Sequence, residues 1–124
     1  MKKNRVSVAL GALFVVGMAL GFVSRKTFVG HWRVKYGNGD RGDVVFRSDG
    51  TAEATFDGTT WKVGGPYKVE GSTLSMADST CGFGYWATYK ATWYSDDSVQ
   101  TTLIEDSCTG RKNSVDGAVL VRTK

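Results

Sequence analysis

Beyond its first 26 residues the chain alternates apolar and polar side chains in short runs, each closed by Gly, Asp or Asn. Successive side chains of a strand point to opposite faces, so a period of two marks a sheet with one buried face. Val29 to Tyr36 sets Gly30, Trp32, Val34 and Tyr36 on one side, with His31, Arg33 and Lys35 on the other. Gly37-Asn38-Gly39-Asp40 follows as a turn. Asp43 to Ser48 puts Val44 and Phe46 on one face, and Asp49-Gly50 is a hairpin signal. Thr51 to Asp57 opposes Ala52, Ala54 and Phe56 to Thr51, Glu53 and Thr55. Trp61 to Val63, interrupted at Gly64-Gly65-Pro66 and resumed from Tyr67 to Val69, reads as one bent strand or two short ones. Thr73–Ala77, Phe83–Tyr94, Val99–Glu105 and Ala118–Arg122 complete the series. No stretch carries a helical period. The expected fold is therefore all-β: about eight antiparallel strands in a meander, closed into a small barrel that leaves no free edge.

One N-terminal hydrophobic helix is expected before it. Lys2, Lys3 and Arg5 precede an apolar run from Val6 to Val23, and Arg25 and Lys26 close it. At about 1.5 Å per residue the run reaches roughly 27 Å, just enough to cross a hydrocarbon core. Gly17-Met18-Ala19 and Ala19-Leu20-Gly21 offer small residues to a signal peptidase, but both lie inside the run. Residues 1–26 thus read as a membrane anchor, with a cleaved signal as the alternative. The short basic N-terminus belongs on the cytoplasmic side, which puts residues 27–124 outside the cytoplasm, tethered or secreted.

Five of the 16 basic residues fall within the first 26 positions, which hold no acid. The remainder carries 11 basic against 12 acidic residues, a net of −1, so no nucleic-acid partner is expected. A domain this short buries one modest core and benefits from a staple. Cys81 and Cys108 are the only cysteines, and one intramolecular disulfide is the only pairing they allow. Its loop contributes roughly 3–3.5 kcal/mol in the chain-entropy model. Two cysteines and one distant histidine have no zinc spacing, so neither metal nor cofactor is expected.

Gly30-His31-Trp32 is a G-x-W at the first strand, Asp106-Ser107-Cys108-Thr109-Gly110-Arg111 a D-x-C-x-G-R before the last, and Phe46-Arg47-Ser48-Asp49-Gly50-Thr51 an F-x-S-D-G-T hairpin. With these motifs the chain resembles the small bacterial lipocalin-like, or calycin, β-barrels. The resemblance implies that Gly30 and Trp32 open the first strand, that Trp32 plugs one end of the barrel, and that a late arginine packs over its ring. Arg111 is the expected arginine and Arg122 the alternative; Arg111 also reads as a plain surface residue beside the disulfide. The domain is shorter than a full lipocalin, so any cavity must be small.

Three classes of function fit. A binding module would take a small apolar or amphipathic ligand in the barrel mouth. Trp32, Val34, Tyr36, Val44, Phe46, Ala54, Phe56, Trp61, Tyr67, Val69, Leu74 and Met76 form the expected inward set, with Tyr36, Phe46, Phe56, Trp61 and Tyr67 against the ligand. The same rings fill an eight-stranded barrel completely if it is narrow. An envelope protein-interaction or structural module would use Tyr85, Trp86 and Tyr89 as its partner surface, because Phe83–Tyr94 carries aromatics on both faces. An enzyme is the weakest reading. His31 stands alone on the solvent-facing parity, and no serine occupies a nucleophile elbow. Asp96-Asp97 and Glu105-Asp106 are adjacent pairs whose members point to opposite faces. Arg41-Gly42-Asp43 spells an adhesion tripeptide but reads as part of a turn.

Overall fold

The computed structural model describes residues 26–123. The expected N-terminal helix lies outside the described residues, and no described helix is long and apolar enough to cross a membrane. Eight strands follow in order: β1 (Gly30–Lys35), β2 (Arg41–Phe46), β3 (Thr51–Phe56), β4 (Lys62–Glu70), β5 (Thr73–Met76), β6 (Ala87–Ser95), β7 (Ser98–Glu105) and β8 (Val119–Arg122). Each pairs antiparallel with its neighbour in sequence, and β8 returns to β1, so the barrel is closed. Closure pairs every strand on both sides and leaves no edge for another chain to extend.

The alternation of β1 decides its orientation. Trp32, Val34 and Tyr36 are buried, while His31, Arg33 and Lys35 face solvent. Outside, Arg33 pairs with both Asp43 on β2 and Asp57 after β3, tying three neighbouring segments together. Of the two readings of the segment around Gly64-Gly65-Pro66, one strand or two, the single strand is found: β4 runs unbroken through all three residues.

Antiparallel connectivity places alternate connections at opposite ends of the barrel. One end holds the chain entry at Phe28, the β2–β3, β4–β5 and β6–β7 turns and the exit after Arg122. This end is plugged. Trp32 is fully buried, its Nε1 donates to the Phe28 carbonyl at 2.8 Å, and the Phe28 and Trp93 rings lie 6.2 and 6.0 Å from it. The cation over the Trp32 ring is Arg122, whose guanidinium carbon is 4.3 Å from the ring centroid. This corrects the expectation for Arg111, which lies at the far end of the barrel. The physical reason is register: Trp32 on β1 sits directly opposite Arg122 on β8. Arg122 also donates to the carbonyls of Thr27, Val29 and Asp96 and to the Asp97 carboxylate, sealing the entry against the β6–β7 turn. Gly30 makes room for it. A Cβ at Gly30 would stand 2.9 Å from Arg122 Nη1, and the backbone there has φ +134°.

Three further expectations are corrected. β6 begins only at Ala87, so Phe83 to Trp86 belong to a connecting loop. Arg41-Gly42-Asp43 opens strand β2 rather than a turn. A short helix, α1 (Thr109–Val115), interrupts the β7–β8 connection where none was expected. It is seven residues long, contains Gly110, and buries a charged residue, Arg111, instead of an apolar stripe. Hydrophobic periodicity cannot register such a segment.

Candidate ligand-binding site

The other end of the barrel gathers the β1–β2 and β3–β4 turns, the β5–β6 loop and α1. Between them and the interior lies a cavity of about 340 Å³. Ten of the twelve expected inward residues line it. The exceptions are Trp32, which is the plug, and Val69, which is 42% exposed at the closed end beside the chain entry.

The ring wall comes from the residue that follows β1, from β3 and from the turn after β3. Tyr36 and Phe56 stack with centroids 4.6 Å apart, and Phe56 stacks on Trp61 at 5.1 Å, giving a continuous three-ring surface. Deeper in, Phe46 meets Tyr67 edge to face at 4.9 Å. Tyr36 Oη donates to the Thr55 carbonyl and Tyr67 Oη to that of Arg47, so both phenols are engaged by backbone. Burial pushes both pKa values up, Tyr36 far above the ordinary tyrosine value. Trp61 remains 56% exposed at the mouth, which makes it both lining and rim. All five expected ligand-facing residues thus lie around one space.

The polar side of the site was not expected. Arg111 is buried with only 1% of its side chain exposed, against the reading of it as surface. Its Nε and Nη2 donate to the two oxygens of Asp106 at 2.9 and 3.0 Å, a bidentate pair. Nη2 also donates to the Tyr85 carbonyl at 2.7 Å, and Nη1 reaches Asp78 at 3.4 Å. Asp106 is completely buried and also accepts from Tyr89 Oη at 2.6 Å and from the Cys108 N–H. Burial alone would raise the Asp106 pKa, but the hydrogen bonds from Arg111, Tyr89 and Cys108 outweigh it and hold the carboxyl below its ordinary value. Tyr89 is driven the other way, first by burial and then by the Asp106 carboxylate, so its phenol stays protonated well past the usual range.

That network moves Tyr89 out of the expected partner surface. Ala87, Tyr89 and Ala91 are buried on the inner face of β6, and Trp93 packs on the core from the same side. Tyr85 and Trp86 stay exposed at 58% and 45% in the β5–β6 loop, with Phe83 at 60% beside them. Lys68 Nζ sits 4.8 Å from the Trp86 ring centroid. The loop is fixed to α1 twice, by the Tyr85 carbonyl on Arg111 and by the Cys81–Cys108 disulfide, whose Cα atoms are 5.9 Å apart. α1 is fixed in turn to the β1–β2 turn, where Gly37 N–H donates to the Ser114 carbonyl at 2.7 Å. A Cβ at Gly37 would stand 1.8 Å from the Asp116 carbonyl oxygen, so only glycine permits this approach.

Asp78, Asp106 and Ser114 were missed as site residues. The signal for Asp78 was the cysteine pair: it lies three positions before Cys81, and Arg111 three after Cys108, so the disulfide brings the two charges together. His31 lies exposed on the outer face of β1, away from the cavity. Among the described residues no group of three or more His, Cys, Asp or Glu is arranged to hold a metal ion. No protein-family model matches the chain, and neither does any curated protein sequence.

Proposed function

We propose that this domain is a small lipocalin-like binding protein, not an enzyme, that takes a small apolar or amphipathic ligand into the open end of its barrel. The observation that carries the reading is the cavity of about 340 Å³ walled by the Tyr36–Phe56–Trp61 stack. A volume of this size lies near the lower bound of ligand pockets and suits a small ligand. The closed eight-strand barrel and the Trp32 plug under a late arginine support the lipocalin-like assignment. A site outside the cytoplasm, tethered by residues 1–26 or released after their cleavage, is supported by the apolar run and by a disulfide, which persists in oxidising compartments.

Titration of the purified domain with small apolar alcohols tests the reading. Saturable quenching or shift of tryptophan emission is expected, because Trp61 stands in the wall. Ala54→Phe, which projects a ring into the cavity, is expected to abolish the response while the domain keeps its melting transition. An unchanged response in that variant would place the ligand elsewhere.

A second reading rests on a separate observation. Phe83, Tyr85 and Trp86 expose three neighbouring aromatic residues on a loop held rigid by the disulfide and Arg111. Exposed aromatics of this kind are enriched at protein interfaces, so an envelope protein partner is the alternative. Trp86→Ala would then lose a co-purifying partner and leave ligand-induced fluorescence changes intact.

A further inference from the structure

The charged residues lining the cavity are Asp40, Asp78 and Arg111. A base among them invites the assumption of an acidic ligand, but Arg111 is not available to one. Its side chain is 1% exposed, and four of its five N–H donors are directed at Asp106, Asp78 and the Tyr85 carbonyl. The bidentate Asp106 already matches its charge. Asp78 is the group that remains in contact with the cavity space. It is 16% exposed, its Oδ1 accepts from the Thr80 N–H at 3.0 Å and faces Arg111 Nη1, and its Oδ2 has no hydrogen-bond partner among the described residues. Counting Arg111 and Asp106 as neutral together, the lining carries the surplus negative charge of Asp78, with Asp40 adding a second at the exposed mouth.

The distribution of the lining reinforces this. The stacked rings come from the residue that follows β1 and from β3 with its following turn, while Asp78, Thr80 and Ser114 come from the β5–β6 loop and α1. An anion entering here would lose its hydration, meet a carboxylate, and find the guanidinium already enclosed. A cation would meet a carboxylate acceptor and the electron-rich faces of the ring stack. Resting on the proposed binding role of this cavity, we infer that its ligand is an organic amine: an apolar, ring-sized body against Tyr36, Phe56 and Trp61, with an ammonium group at Asp78.

Three probes of nearly equal size separate the outcomes: phenylbutylamine, phenylbutanol and phenylbutyrate, titrated against tryptophan emission at neutral pH and low salt. The amine is expected to bind several-fold tighter than the alcohol and about tenfold or more tighter than the carboxylate. Added salt should narrow the gap. In Asp78→Asn the amine-to-alcohol affinity ratio is expected to fall to near one, with circular dichroism reporting that the barrel is intact. If that variant does not fold, the ranking of the three probes on the unaltered protein still decides. A carboxylate that binds as tightly as the amine overturns the inference and leaves the cavity reading standing. An alcohol that equals the amine overturns it as well. If none of the three binds, the cavity reading fails and this inference with it.

Discussion

Two arginines do different work at the two ends of the barrel. Arg122 covers the Trp32 ring and donates to three carbonyls and a carboxylate, yet its side chain stays 23% exposed. Arg111 is enclosed and holds a fully buried carboxylate. Removing one partner of a buried pair leaves an uncompensated charge and costs about 3–5 kcal/mol, whereas cation–π contacts contribute about 0.5–2 kcal/mol. Arg111→Ala is therefore expected to lower the melting temperature much more than Arg122→Ala. Equal effects in thermal unfolding would show that Asp106 is not held as described. The same carboxyl sets the acid limit. Its folded pKa lies below the ordinary 3.8, so it adds stability above that value and the contribution is lost as pH falls through the folded pKa. Melting temperatures should fall on acidification below about pH 4. At the alkaline side the sign reverses. Tyr36 and Tyr89 have raised pKa values, so their contribution is intact below the unfolded value of 10.0 and declines as pH rises above it.

At the scale of elements, α1 and the β5–β6 loop form one unit. The disulfide, the Tyr85 carbonyl on Arg111 and the Asp78 contact all join them, and Gly37 docks α1 on the β1–β2 turn. A seven-residue helix has no independent stability, so these attachments are what keep it formed. Reduction of Cys81–Cys108 is expected to cost roughly 3–3.5 kcal/mol. The loss should concentrate at this end of the barrel, read as faster amide exchange in residues 79–86 and 109–115 while β1, β2 and β8 keep their protection. Uniform acceleration throughout the barrel would mean that the unit is not separable.

For the whole molecule, a ligand bound only by the folded state raises stability by mass action. At a concentration one hundred times its dissociation constant the gain is about 2.7 kcal/mol, equivalent to roughly 10–20 °C in a domain of this size. A thermal shift with phenylbutylamine that is absent in Ala54→Phe is the expected result. The closed barrel gives such a ligand one entrance, because the Trp32–Phe28–Trp93 cluster fills the other end.

The eight strands and the ring wall were legible because both are local patterns. Alternation along a strand sorts side chains between two faces, and turn residues mark where the chain reverses. That was enough to bring Tyr36, Phe46, Phe56, Trp61 and Tyr67 to one interior, and the cysteine count was enough for the disulfide. The remainder depended on meetings between distant segments. Which arginine covers Trp32 follows from the β1–β8 register, which closure sets and no local run encodes. Tyr89 was ambiguous because aromatics occupy both parities of Phe83–Tyr94, and only the inward turn of β6 toward Asp106 selects its face. α1 escaped notice because its buried side chain is an arginine, and a charge reads as surface until its carboxylate is found. Alternation and spacing determined the barrel; the polar half of its cavity was decided only when folding desolvated Asp106 and Arg111 together, since a buried charge is tolerated only beside its partner.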